Sequence, residues 1–337
     1  MRQGTLIGRI FGIDLKLDAS WVMMAALVVW SLTSVFGQWH PSWTSGTVFV
    51  VAVVTALGFF ASLVAHELAH ALVAKAHGLG VREITLHLFG GVARLDREPP
   101  TPRAELLIAA AGPATSVVLG LGMLALAPLV VGSASTHALL TWLGPVNIGL
   151  ALFNLLPGFP MDGGRILRAA LWKVTGNFVS ATRWTAMTGQ VVGFAFLALG
   201  ASMAFGLRVP FFGTGLGGGL WLALIGMFVR RAAQQHQASA EVRGALEGVT
   251  VASVMRRAPL SAWDEPALRE IMPATTGTAS FAPSDSALEA FRTMTLAGLP
   301  AAPVVEEGEL VGMLFASDLG RWVELYAYTS KRPLLPA

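Results

Sequence analysis

The chain has 337 residues, of which 54% are hydrophobic and only 13% are charged, and it contains no cysteine. Soluble proteins carry about a quarter charged residues, so this composition excludes an ordinary soluble domain and indicates a membrane protein. Without cysteine there can be no disulfide and no thiolate metal site, so a zinc site would need histidine and carboxylate. The net charge of +3 does not indicate nucleic-acid binding, because the basic residues flank apolar segments instead of clustering.

About six apolar segments are long enough, or nearly so, to cross a hydrocarbon core of roughly 30 Å. They run from Trp21 to Phe36, Val48 to Ala74, Ala104 to Val131, Ala138 to Leu156, Trp184 to Phe205 and Leu216 to Val229. Lys and Arg, Arg165 and Arg168 among them, follow the second, fourth and sixth segments, whereas the links after the first and third contain none. By the positive-inside rule we expect a multi-pass protein of the cell membrane with both termini in the cytoplasm.

The second predicted span contains the ionisable residues His66, Glu67 and His70 in an otherwise apolar run. On a helix the two histidines lie one turn apart on one face, so both imidazoles can bind one metal ion while Glu67 stands beside it. This H-E-x-x-H pattern is typical of zinc hydrolases. A charged side chain at mid-membrane costs about 2.5 to 3.5 kcal/mol on insertion scales, which favours a functional site. The alternative is a solvated polar face on a soluble amphipathic helix.

Residues 83–95, between the second and third spans, alternate in the manner of strands around the pair Gly90-Gly91. This pattern predicts a short membrane-associated β-hairpin. We expect structural or interfacial roles for His87 in the hairpin and for His77 at the end of the preceding helix. Small residues in 111–116 interrupt the third span, and they favour close helix packing over unpaired backbone carbonyls.

A second polar group of residues follows the fourth span, in residues 154–165. Two prolines and a glycine end the helix there, and irregular backbone at membrane depth is tolerated only inside protein or beside a water-filled cavity. A catalytic zinc usually has three protein ligands and an open water position, so Asp162 is the natural third ligand after His66 and His70. The alternative is that Asp162 only caps the helix that begins near Gly163.

These motifs resemble the site-2 protease family of intramembrane zinc metalloproteases, peptidase family M50. The closer resemblance is to the branch that includes the bacterial stage IV sporulation protease and carries a cystathionine-β-synthase (CBS) domain after the last span. The resemblance rests on residues 66–70, on Phe89-Gly90-Gly91, and on residues 154–164, which match the family pattern Asn-x-x-Pro-x-x-Pro-x-Asp-Gly.

The resemblance implies a zinc metalloendopeptidase that cleaves transmembrane segments of other proteins in regulated intramembrane proteolysis. One zinc ion per chain would be bound by His66, His70 and Asp162. Glu67 would be the general base that acts on a zinc-activated water, and Asn154 would contact the substrate or the transition state. The β-hairpin offers a strand edge that could receive an unwound substrate segment.

After the last span the sequence changes to a polar linker, 232–247, and then to a small α/β domain, 248–337, that resembles a CBS module. The membrane domain would therefore comprise residues 1–231. The first CBS motif looks truncated, since only about thirty residues separate its opening from that of the second, roughly half of what the resemblance allows. CBS modules hold adenine nucleotides with an Asp, here Asp318, but Phe315 occupies the usual hydroxyl position. We therefore expect weak or absent nucleotide binding and a homodimer formed through these domains.

The sequence leaves two other functions open. CBS modules also follow the spans of ion transporters, and the His, Glu and Asp side chains could line a metal pathway. Against this, a transport site needs no carboxylate at the position of Glu67, and no inverted repeat is evident. A catalytically silent protein that binds other membrane proteins is the third interpretation.

Overall fold

The computed structural model describes residues 4–87, 90–209, 214–257 and 279–330. The chain divides into two compact units, Met1–Gln234 and Gln235–Ala337. The helices that begin in the first unit are α1 (Ala19–Trp39), α2 (Ser45–Ala76), α3 (Pro102–Leu126), α4 (Ala134–Asn154), α5 (Asp162–Thr175), α6 (Phe178–Ala204) and α7 (Gly215–Leu246).

Six of these helices, α1 to α4, α6 and α7, are long and apolar enough to cross a membrane, with α3 extended by a 3-10 turn to Val130. The prediction of about six spans is confirmed, and the chain is a multi-pass membrane protein. Polar side chains satisfy the free backbone N–H groups where these helices begin. Asp18, Thr44, Thr101 and Asn177 each accept a hydrogen bond from a backbone N–H in the first turn of the helix that follows.

The strands of the first unit form a four-stranded sheet in the order β1-β2-β3-β4. The strands are β1 (Thr5–Ile10), β2 (Ile13–Leu17), β3 (Val81–His87) and β4 (Gly90–Leu95). β3 and β4 pair antiparallel, with His87 opposite Gly90, and they occupy the segment for which we predicted a hairpin. Residues 88 and 89, and with them Phe89, lie outside the described residues. We did not predict β1 and β2, and β2 joins the sheet by parallel pairing with β3.

Helix α3 packs against α2, α4 and α5, which places it at the centre of the first unit. Small residues allow close approach there: a Cβ on Gly120 would lie 2.8 Å from the carbonyl oxygen of Gly144 on α4. The sheet packs on α2, where Leu63 and Ala71 share a buried cluster with Ile84 of β3 and Ile108 of α3. The polar face of α2 is thereby enclosed by α3 on one side and by β4 on the other.

The second unit contains the end of α7, a short helix α8 (Val251–Val254), helices α9 (Ala287–Ala297) and α10 (Ala316–Ser330), and strands β5 (Ala301–Glu306) and β6 (Glu309–Phe315). β5 and β6 pair antiparallel around Glu307 and Gly308, which both have positive φ. The predicted linker, 232–247, is helical as far as Leu246 because α7 continues through it. Most of the segment that we expected to hold the truncated first CBS motif, 258–278, lies outside the described residues.

Candidate metal centre

Helix α2 places His66 and His70 on one face, one turn apart, as the sequence predicts. Both imidazoles are buried, with 2% and 5% of the residue surface exposed. Their Nε2 atoms lie 3.2 Å apart and point to the same spot. The two nitrogens therefore form one half of a converging site.

Asp162 completes this group from the first residue of α5. Its Oδ2 lies 3.2 Å from Nε2 of His66 and 3.1 Å from Nε2 of His70. Met161, and not Asp162, occupies the N-cap position of α5, so the structure does not support a simple capping role. The residues after Asp162 must be glycines, since a Cβ on Gly163 would lie 2.5 Å from the carbonyl oxygen of Leu156.

The outer partners of the histidines determine which ring nitrogen carries the proton. Nδ1 of His70 lies 2.6 Å from the carbonyl oxygen of Ile108, and a carbonyl can only accept, so Nδ1 is the protonated nitrogen. Nδ1 of His66 lies 2.9 Å from the hydroxyl oxygen of Ser116, which can accept a hydrogen bond from an Nδ1–H group in the same way. Both neutral imidazoles then direct an Nε2 lone pair into the site, the arrangement usual for metal-binding histidines.

The distances within the group fit one tetrahedral metal ion. Bonds of about 2.0 to 2.1 Å from zinc to nitrogen or oxygen place neighbouring ligands about 3.3 Å apart. The three observed separations are 3.1, 3.2 and 3.2 Å. Three lone pairs with no proton between them would repel one another, and a cation removes that repulsion. The donor set of two imidazoles and one carboxylate leaves the fourth tetrahedral position open.

A positive charge beside the group favours the ionised form of Asp162. Nη1 of Arg165 lies 3.9 Å from Oδ1, the oxygen that faces away from the histidines. Asp162 therefore offers one oxygen to a metal and turns the other toward a cation.

Sequence reasoning missed the contribution of α3, where Ile108, Gly112 and Ser116 follow one another at intervals of four residues. We expected close helix packing in residues 111–116; in addition, the hydroxyl of Ser116 in that segment and the carbonyl of Ile108 before it orient the histidines. A Cβ on Gly112 would lie 2.6 Å from Nε2 of His66 and closer still to Nε2 of His70. Residues four apart lie on one face of a helix, so this spacing could have identified the three residues if it had been known that this face packs against the histidines of α2.

Glu67 stands beside the group on α2 and packs against strand β4. A Cβ on Gly91 would lie 2.8 Å from Cδ of Glu67, so the absence of a side chain there makes room for the carboxylate. The contact places the sheet next to this residue, which the sequence alone could not show.

The other residues singled out in the sequence have partners of their own. The amide of Asn154 donates to the carbonyl of Leu150 in its own helix, 3.0 Å away. His77 Nδ1 lies 2.8 Å from the Val73 carbonyl oxygen, and His87 Nδ1 lies 4.0 Å from Asp18.

In the second unit, both carboxylate oxygens of Asp318 accept hydrogen bonds from the guanidinium of Arg256, at 2.6 and 2.7 Å. The guanidinium of Arg256 also lies 4.9 Å from the ring centre of Phe315.

Several known proteins are similar to this chain in sequence. The model of peptidase family M50 matches residues 54–135 and 129–200. Rip3 from Mycobacterium tuberculosis is 38% identical over 265 residues, covering 78% of this chain and 66% of Rip3. Zinc metalloprotease MJ0392 from Methanocaldococcus jannaschii is 32% identical over 213 residues, covering 63% of this chain and 58% of that protein. This chain thus spans less than two thirds of the length of either relative, 66% of Rip3 and 58% of MJ0392.

Among solved structures, the site-2 protease from Methanocaldococcus jannaschii aligns over 69% of this chain and 95% of that chain. Its sequence identity to this chain is 28%, and the TM-score is 0.47.

Proposed function

We propose that this chain, which matches the model of peptidase family M50 over residues 54–135 and 129–200, is an intramembrane zinc metalloendopeptidase that cleaves transmembrane segments of other proteins. The observation that carries the proposal is the convergence of two imidazole nitrogens and one carboxylate oxygen within 3.2 Å, inside a bundle of apolar helices. His66, His70 and Asp162 would hold one zinc ion per chain.

Bound zinc would supply Lewis acidity, which lowers the pKa of a water to about 7 and polarises the scissile carbonyl. Glu67 is the general base in this proposal: it takes a proton from the attacking water and delivers it to the leaving amine. Its neighbours support the role, since Gly91 leaves its side chain room and His70 lies one turn further along the same face. Asn154 is proposed to contact the substrate or the transition state.

The sheet supplies a place for an extended substrate. β4 is the last strand in the order, so among the described strands it pairs on one side only. A helical peptide bond is shielded by its own hydrogen bonds, and a substrate that unwinds and pairs with the free edge of β4 would regain backbone partners. Because Gly91 of β4 touches Glu67, such a strand would run beside the proposed base.

The membrane orientation and the second unit complete the proposal. We place both termini in the cytoplasm, with the lipid bilayer around the six spans. The second unit is proposed to act as a CBS-type regulatory domain that pairs two chains. Adenine nucleotide binding finds no support, since Arg256 engages both oxygens of Asp318.

The proposal can be tested in two steps. First, the Glu67→Gln variant is used to trap a membrane-protein substrate from native membranes. The trapped protein is then placed in proteoliposomes with the full chain, and its cleavage is measured. We expect zinc-dependent cleavage of the trapped protein by the unmodified chain. The His77→Ala variant is the matched control, because it removes a histidine that lies outside the group. Zinc flux without cleavage would favour the transporter, and trapping without cleavage by any form would favour the silent binder.

A further inference from the structure

The first unit contains a buried ion pair that the proposed chemistry does not use. Nε of Arg168 on α5 lies 2.7 Å from Oε1 of Glu105 on α3, and Nη2 of Arg168 approaches the same oxygen. Glu105 has 0% and Arg168 6% of its surface exposed. Replacing such a pair by well-packed apolar residues is often neutral or stabilising, so its presence points to a purpose other than stability.

The guanidinium of Arg168 also contacts two aromatic rings. It lies 5.1 Å from the ring centre of Phe159 and 4.6 Å from that of Phe178, the first residue of α6. Phe159 belongs to the loop that leads into Asp162, three residues later. Gly189 of α6 supports the loop from behind, since a Cβ there would lie 2.9 Å from the backbone nitrogen of Phe159. The loop is thus held between a cation and a helix.

The partner of Arg168 lies on the helix that orients the histidines. Glu105 is one turn before Ile108, whose carbonyl accepts from His70, and two turns before Gly112. One side chain therefore connects the helix that orients the imidazoles to the loop and helix that carry Asp162. The arrangement uses the planar fork of arginine, which binds a carboxylate with two N–H groups while its faces meet aromatic rings.

We propose that Arg168, held by Glu105, is a positioning residue that sets the distance of the Asp162 carboxylate from the two histidines. The inference rests on the proposed function, in which these three residues bind zinc. Arg168 acts on Asp162 through Phe159 and through α5, and this action requires no contact between Arg168 and the metal. Lysine at this position would keep the charge but lose the fork and the stacking.

The test uses the full chain purified in detergent. Variants are Arg168→Lys, the double variant Glu105→Gln with Arg168→Met, and a control double variant, Glu83→Gln with Lys16→Met. The control removes the pair between β2 and β3, whose charged atoms lie 2.5 Å apart and which does not involve α5. Zinc affinity is measured by competition with a chelator, the cobalt-loaded protein is examined by visible absorption, and thermal unfolding of the metal-free protein reports folding.

Loss of an outer residue that orients a metal ligand typically lowers metal affinity about 10- to 100-fold. We expect that loss, with a changed cobalt spectrum, in the Arg168→Lys and Glu105→Gln/Arg168→Met proteins, while the control keeps both properties. If Arg168→Lys does not fold, the neutral double variant decides. Wild-type affinity and spectrum in the folded variants would overturn the inference alone. An unmodified protein that binds no metal would instead contradict the proposed function, and the inference with it.

Discussion

Gly112 leaves no room for a side chain against His66: an ideal Cβ on the glycine would lie 2.6 Å from Nε2 of the histidine. That position is on the inner side of the imidazoles, where a shared metal ion would lie. The glycine does not have an unusual backbone conformation, so space is the reason for it. α3 therefore contributes to the centre in two ways. Gly112 has no side chain and leaves space for the imidazoles, and the carbonyl of Ile108 and the hydroxyl of Ser116 lie within hydrogen-bonding distance of them.

We predict that Gly112→Ala abolishes stoichiometric zinc binding while the protein still folds. The methyl group would push the imidazoles apart or occupy the metal position. Gly122→Ala, in the same helix, is the matched control, because a Cβ there meets nothing within 4 Å. Elemental analysis of both purified variants is the measurement. A zinc content in Gly112→Ala equal to that of Gly122→Ala would show that our description of the contact between Gly112 and the imidazoles is wrong.

We predict that Glu67→Gln folds and keeps zinc but loses proteolysis by about 10²- to 10⁴-fold or more, as expected when a general base that also delivers the proton is removed. The amide preserves the shape of the side chain against Gly91 but cannot take a proton. Cleavage of a membrane-protein substrate, together with zinc content, measures the effect. Near-normal cleavage by the Glu67→Gln variant would show that Glu67 is not the general base.

A third prediction concerns the contact between β4 and the proposed base. Gly91→Ala would displace Glu67, because the new Cβ would lie 2.8 Å from Cδ of that side chain. We expect the turnover rate to fall while zinc content stays at one ion per chain. Gly8→Ala in β1 is the control, since its Cβ would meet no atom within 4 Å. Equal loss of turnover in both variants would indicate a general effect on the sheet.

The sequence predicts correctly those features that depend on residues close together in the chain. Helical periodicity places His66 and His70 together, and apolar length locates the spans to within a few residues at most ends. The sixth span is an exception, since α7 continues to Leu246, well beyond the predicted end at Val229. Polar residues can continue a helix after it leaves the apolar region, so hydropathy does not mark its end.

The contacts that build the centre are distant in sequence, and no periodicity reports them. Ser116 is 50 residues from His66, and Asp162 is 92 residues from His70. Asp162 could be proposed because the chemistry of zinc requires a third ligand and because residues 154–164 match the family pattern. The same limit explains β2, which pairs with β3 across the whole of α1 and α2. Arg168, interpreted from sequence as a topology signal, is buried against Glu105.

For the second unit we predict weak or absent ATP binding and pairing of two chains. The carboxylate that would hold a ribose is engaged by Arg256, which holds the pKa of Asp318 below its ordinary value. Calorimetry with ATP and analytical ultracentrifugation of the full chain in detergent measure the two properties. A monomeric protein that binds ATP in the micromolar range, and loses it on Asp318→Ala, would reverse this prediction.

X-ray absorption at the zinc edge, on the purified full chain and on its Asp162→Ala variant, tests the metal centre most directly. We predict one zinc per chain in the unmodified protein, with only nitrogen and oxygen neighbours and the scattering pattern of two imidazoles. The Asp162→Ala variant should retain less zinc under the same dialysis, while His77→Ala should match the unmodified protein. A chain without zinc, a zinc ion with no imidazole neighbours, or unchanged zinc retention in Asp162→Ala would contradict the centre described here.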